Sequence, residues 1–184
     1  MTHRAFFSKS TVTAFLVGVW ISLPAAAETV DELFEKLQEA EQAEADRVAE
    51  RIVGEWSKSG SAAIDLLLQR GTDALEEGEF ARAVEHFTAA IDHDPGFTEA
   101  YHARATAYFL QDYYGPALDD LAHVIEANPR HFLAMNTFAV ILEQLGRPEE
   151  ALEVYSRVLA LHPQAEEVGA AVDRLNATLD GQDI

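Results

Sequence analysis

Residues 64–97 read IDLLLQRGTDALEEGEFARAVEHFTAAIDHDPGF, 98–131 read TEAYHARATAYFLQDYYGPALDDLAHVIEANPRH, and 132–165 read FLAMNTFAVILEQLGRPEEALEVYSRVLALHPQA. Pro95, Pro129 and Pro163 stand 34 residues apart. The same step relates Ala83, Ala117 and Ala151, and likewise Phe87, Leu121 and Tyr155. It relates Gly71, Ala105 and Ala139, and also Ala74, Tyr108 and Leu142. Phe80 matches Tyr114, with Pro148 in the third copy; Gly78 matches Gly146, with Asp112 between them. Self-similarity at a fixed period sets the architecture before any single motif does.

Each copy has the chemistry of two helices. In the first, Leu67, Gly71 and Ala74 fall on one helical face, and Ala83, Phe87 and Ala90 fall on one face of a second helix. Glu77-Gly78 is the turn between them, because glycine takes the positive φ of a helix end. Asp94-Pro95-Gly96 closes the unit, since proline cannot continue a helix and restricts the residue before it. The small residues Gly71 and Ala83 mark where the two helices cross closely. A single pair cannot bury its own apolar face, so the pairs must stack.

The pattern resembles the tetratricopeptide repeat (TPR) in all three blocks, through Leu67, Gly71, Ala74, Phe80, Ala83, Phe87, Ala90 and Pro95 in the first. The second carries Tyr101, Ala105, Tyr108, Tyr114, Ala117, Leu121, Val124 and Pro129, and the third Met135, Ala139, Leu142, Pro148, Ala151, Tyr155, Val158 and Pro163. It covers 102 of 184 residues without a gap. Departures are Pro148 for the usual aromatic, and Arg70 and Arg104 where leucine is commoner. The resemblance implies an all-α, right-handed α-solenoid of three TPR helix pairs (64–97, 98–131, 132–165, within 61–165), with an N-terminal helix and a C-terminal capping helix.

The flanks extend the same logic. Val168, Ala171, Val172, Leu175 and Leu179 form an amphipathic stripe, and Asp173 replaces the small residue of a further repeat. Residues 166–184 are therefore expected to be the capping helix and tail, and Asn176-Ala177-Thr178 within it is a chance sequon. Upstream, Val30, Leu33, Phe34, Leu37, Ala40, Val48, Ile52 and Trp56 make an acidic helical pattern in 28–60. Its expected role is to cap the first repeat; self-association through 29–56, in coiled-coil fashion, is the other role it allows. Ser57–Ser61 breaks it.

Residues 1–27 have the layout of a secretory signal peptide. His3, Arg4 and Lys9 precede an apolar run, TVTAFLVGVWISL, at 11–23, and Ala25-Ala26-Ala27 follows Pro24. The run is short of the roughly 20 residues of a membrane span, and Ser8-Lys9-Ser10 blocks its extension. Cleavage after Ala27, with no stable span remaining, and a bacterial periplasmic location are the expectations. Trp56-Ser57, Ser59-Gly60-Ser61 and the following Asp65-Leu66-Leu67-Leu68 are similar to exported TPR proteins of alphaproteobacteria.

Composition narrows function. The chain has 32 acidic against 13 basic residues, a formal charge of −19, and no cysteine. Nucleic-acid binding needs a basic face, and none is available. Disulfides, thiolate metal sites and thiol nucleophiles are excluded. His3, His86, His93, His102, His123, His131 and His162 form no metal-binding sequence pair. No Ser–His–Asp pattern or phosphate loop is present. Asp119-Asp120, Glu149-Glu150 and Glu166-Glu167 are neighbours on helices, point about 100° apart, and read as solvated faces. No catalytic residue, cofactor or metal is expected.

The expected function is non-catalytic protein–protein interaction. In the TPR family, first-helix positions not used for pairing line a concave groove that holds a peptide or helix. The resemblance places Leu68, Thr72, Leu75, His102, Thr106, Phe109, Asn136 and Val140 there. Family members that grip a chaperone's C-terminal carboxylate use Lys, Arg and Asn in this channel. The channel positions around these eight residues add Leu133 and the acids Asp65, Glu76, Glu99 and Glu143 and carry no Lys or Arg, so the expected partner has apolar anchors and basic flanks. An assembly chaperone or adaptor for an envelope protein is the alternative. Leu68, Leu75 and Phe109 could instead be covered by the N-terminal helix.

Overall fold

The computed structural model describes residues 28–181. Its order is α1 (Val30–Glu39), α2 (Gln42–Trp56), α3 (Ala62–Glu76), α4 (Phe80–His93), α5 (Thr98–Phe109), α6 (Tyr114–Ala127), α7 (Phe132–Gln144), α8 (Pro148–Leu161) and α9 (Glu166–Asp180). Helices α3 to α8 form three consecutive antiparallel pairs, each packed on the next, and α9 packs on α8. The 34-residue period is thus realised as an α-solenoid. Residues 1–27, and with them the signal-peptide expectation, lie outside the described residues.

The turns show why the period holds. Gly78, Asp112 and Gly146 have φ of 75°, 61° and 71°. Around them Glu79, Tyr113 and Arg147 donate their N–H groups to the carbonyls of Ala74, Tyr108 and Leu142 at 2.8–2.9 Å, the bond that closes a helix C-terminus through a left-handed residue. Asp112 is the one non-glycine in this role among the described residues, and its carboxylate accepts the Tyr114 hydroxyl at 2.9 Å. Pro148 opens α8 at its first turn, where a missing N–H costs no hydrogen bond, and so replaces the usual aromatic without breaking the fold.

Two departures from the TPR pattern have different meanings. Arg70 is exposed. Arg104 is buried enough to matter: its guanidinium donates to both carboxylate oxygens of Asp120 at 2.8 Å and to Thr88 Oγ1 at 3.1 Å, tying α5 to α6 and α4. Asp120 is therefore buried, correcting its reading as part of a solvated face; Asp119, Glu149, Glu150, Glu166 and Glu167 are exposed as expected.

The N-terminal segment differs most from expectation. It is a hairpin of two helices, not one, and it does not cap the first repeat. Leu33, Phe34, Leu37, Ala45, Val48 and Ile52 share one apolar cluster with Phe132, Met135, Leu142, Tyr155 and Val158 of the third repeat and with Val168 and Leu175 of α9. Phe34 and Trp56 flank Phe132 at ring separations of 6.3 and 5.3 Å. Gln38 donates to the Ala160 carbonyl at 2.7 Å and Gln164 to the Ala40 carbonyl at 2.6 Å. Arg130 pairs with Asp31 and lies over the Phe34 ring. The outer face of α3 explains why no cover is needed there: Ala63, Arg70 and Asp73 are exposed, and Leu66 is its one large exposed apolar residue. At the other end α9 does cap, and Arg174 reaches back to Glu143, which also accepts the Tyr155 hydroxyl at 2.8 Å.

Candidate protein-binding site

The eight expected groove residues sit on α3, α5 and α7, the first helices of the three repeats. Leu68, Leu75, Phe109 and Val140 are half-buried, Thr72 is exposed, and His102, Thr106 and Asn136 are intermediate. Leu68 and Leu75 pack against the cluster of Ala74, Ala83, Phe87 and Ala107, which joins the first two repeats. Phe109 lies 6.1 Å from the Tyr114 ring. None of these three belongs to the cluster that holds the hairpin, so their partial burial comes from the repeats themselves. Thr72 and Thr106 donate their hydroxyls to the carbonyls of Leu68 and His102, four residues back, at 3.0 and 3.1 Å. Their side chains therefore offer acceptor lone pairs rather than donors.

His102 is held differently. Glu99 and His102 lie one turn apart on α5, and His131 precedes α7; the fold brings the three together, which the sequence did not force. His102 Nδ1 is 3.2 Å from Glu99 Oε1, and His131 Nε2 is 3.1 Å from Glu99 Oε2. His131 Nδ1 accepts the Ala134 N–H at 3.1 Å as the N-cap of α7. An Nδ1 that accepts leaves the proton on Nε2, so His131 is a neutral donor to Glu99. A metal ligand needs a free lone pair, and the Nδ1 lone pair of His131 is taken by the Ala134 N–H, so His131 as held here has none to offer an ion. The cluster ties α5 to the start of α7, and Trp56 closes it by stacking on His131 with ring centroids 4.3 Å apart. Burial pushes the Glu99 carboxyl up, but the bonds from His102 and His131 outweigh it and hold it down at about 2. Burial drives His131 below the ordinary imidazole value, against the pull of Glu99.

Where the hairpin meets the third repeat, α2 adds a wall that the repeats alone do not have. Between it and α7, the α8–α9 turn and the start of α9 lies an open crevice of about 620 Å³. Leu133 and Asn136 of the expected channel line it; Leu68, Thr72, Leu75, His102, Thr106, Phe109 and Val140 do not. Sequence reasoning missed the α2 side, because nothing in the repeat pattern says where a flanking helix docks. Among the described residues no helix is long and apolar enough to cross a membrane.

The tetratricopeptide repeat family model matches residues 68–120 and 114–166, and the chain belongs to that family. It is 33% identical over 153 residues to a TPR repeat-containing protein of Rhizobium etli, covering 83% of this chain and 75% of that protein. It is 30% identical over 115 residues to human DnaJ homolog subfamily C member 3, of which it spans only 23%. Among solved structures, the first TPR of Spaghetti (RPAP3) bound to the HSP90 peptide SRMEEVD superposes with a TM-score of 0.61 at 25% identity, covering 64% of this chain and 93% of that one. A MamA structure superposes with a TM-score of 0.56 at 22% identity over 83% of this chain and 86% of that one, a likeness of fold.

Proposed function

We propose that the chain is a non-catalytic interaction scaffold that takes a peptide or helix of a partner protein along its first-helix groove. Its place of work is the bacterial periplasm, reached after removal of residues 1–27. The observation that carries the interaction reading is the in-register stacking of α3, α5 and α7, which leaves Leu68, Leu75, Phe109 and Val140 only half-buried. The similar RPAP3 domain holds its peptide as a complex of the same fold. The eight groove residues here include no Lys or Arg, so an acidic peptide such as SRMEEVD is not the expected occupant. The layout of residues 1–27 supports the address.

Affinity purification from the native envelope, followed by mass spectrometry, tests this reading. A partner recovered at fixed stoichiometry, and lost in Phe109→Ala without a fall in thermal midpoint, is the expected result. Capture of many unfolded clients would replace it with the assembly-chaperone reading. Retention of all partners by Phe109→Ala would move the binding surface elsewhere.

A further inference from the structure

The crevice beside α2 has an uncommon lining. Its floor is apolar: Val53 from α2, Phe132 and Leu133 from α7, Val158 from α8 and Val168 from α9. Its rim carries the carboxylates of Asp46, Glu50, Glu166 and Glu167, all exposed, and no Lys or Arg lines it. Two of its lining residues are left incomplete by the protein. His162 is 9% exposed, and its Nε2 is buried without a hydrogen-bond partner. Gln164 is fixed by donating to the Ala40 carbonyl at 2.6 Å, which leaves its buried Oε1 as an unpaired acceptor. Buried polar atoms rarely stay unpaired, so Gln164 Oε1 points to a donor, and His162 Nε2 to a polar partner, that the chain itself does not supply.

We propose that this crevice binds a segment of a partner protein in which a Lys or Arg stands beside an apolar residue. The apolar side chain lies on Val53, Leu133 and Val168, and the cation faces the carboxylate rim. A donor N–H of that segment serves Gln164 Oε1, and a polar group beside it meets His162 Nε2. Charge complementarity selects this occupant: an acidic segment would meet four carboxylates with no counter-charge, and a purely apolar one would leave the carboxylate rim unmatched. The site deepens the interaction reading and rests on it. It differs in place, since α2 and the α8–α9 turn build it and the repeats alone cannot.

The test uses the full chain and three fluorescein-labelled peptides of equal length, read by anisotropy at low and physiological ionic strength. One alternates Leu and Lys, one has Glu in place of Lys, and one has Ser in place of Leu. The Leu/Lys peptide is expected to bind, the Leu/Glu peptide not to bind, and the Ser/Lys peptide to bind at least about tenfold more weakly. Glu50→Lys with Glu167→Lys should weaken the Leu/Lys peptide about tenfold or more with the thermal midpoint kept. His162→Phe removes the unpaired nitrogen and keeps a ring against Phe132, so it should weaken binding while the midpoint holds or rises. Equal binding of the Ser/Lys and Leu/Lys peptides would overturn the proposal, because charge alone would then explain it. So would indifference to the Glu50 and Glu167 reversal, or no binding at all. Loss of binding in Phe109→Ala alone would overturn the crevice and leave the first-helix groove standing as the site.

Discussion

The ring of Phe87 fills the space that a side chain on Gly71 would need: an ideal Cβ there would stand 2.3 Å from Cε1 and 2.6 Å from Cδ1. Gly71 is on α3 and Phe87 on α4, so this contact sets how closely the first pair can cross. Gly71→Ala should therefore destabilise by about 1–3 kcal/mol, although alanine is the better helix former. Gly54→Ala and Gly169→Ala, where nothing lies within 4 Å, should stabilise by about 0.5–1 kcal/mol. Thermal melts of the three variants give the signs. A Gly71→Ala protein that melts above its parent would refute the crossing geometry.

Arg104 and Asp120 predict a second asymmetry. Arg104→Ala strands a carboxylate that is 7% exposed and should cost about 3–5 kcal/mol. The double variant Arg104→Met, Asp120→Leu removes both charges and should recover most of that loss. Chemical denaturation of the single and double variants measures the difference, and a double variant as unstable as the single one would contradict the account.

Trp56 should report hairpin docking. Trp56→Ala removes contacts with Phe34, His131 and Phe132 and should cost about 2–4 kcal/mol. Deleting residues 28–58 should go further, uncovering Phe132 and Leu161 and promoting association, seen by light scattering. A well-behaved monomer after deletion, from a parent that is a dimer, would mean that the hairpin pairs between chains.

Acid should weaken the fold in two stages. The unfolded chain protonates His131 and His162 below about 6.5, whereas both are held below that value in the fold, so stability falls as pH drops beneath it. Glu99 adds a second loss between its ordinary 4.5 and about 2, because its folded form stays ionised. His131→Asn should keep the N-cap of α7 and flatten the slope of thermal midpoint against pH between 7 and 5. An unchanged slope would show that His131 does not contribute.

The repeats were legible because their signals are local and covalent: Pro95, Pro129 and Pro163 end each unit, and Gly78 and Gly146 permit the turns. The stripe from Val168 to Leu175 gave α9 for the same reason. The hairpin break was not legible. Residues 39–46 read EAEQAEAD, all without glycine or proline, so no local rule stops a helix there. The break at Ala40 and Glu41 is met by a distant partner, since the Ala40 carbonyl accepts from Gln164. Of the site, Leu133 and Asn136 were readable from repeat position; the α2 wall was not, because docking depends on apolar edges that belong to the third repeat.

The hairpin's partners lie far away along the chain: Asp31 meets Arg130 at a separation of 99 residues, Gln38 meets Ala160 at 122 and Gln164 meets Ala40 at 124. An ordinary solenoid behaves as a line of neighbours, each end free to fray by itself. Here the beginning of the described chain is fastened to its far end, so opening α8 or α9 also strips the hairpin, and the reverse. The molecule should melt in one concerted step, and its folding should wait on a long loop closure that a plain row of repeats does not need.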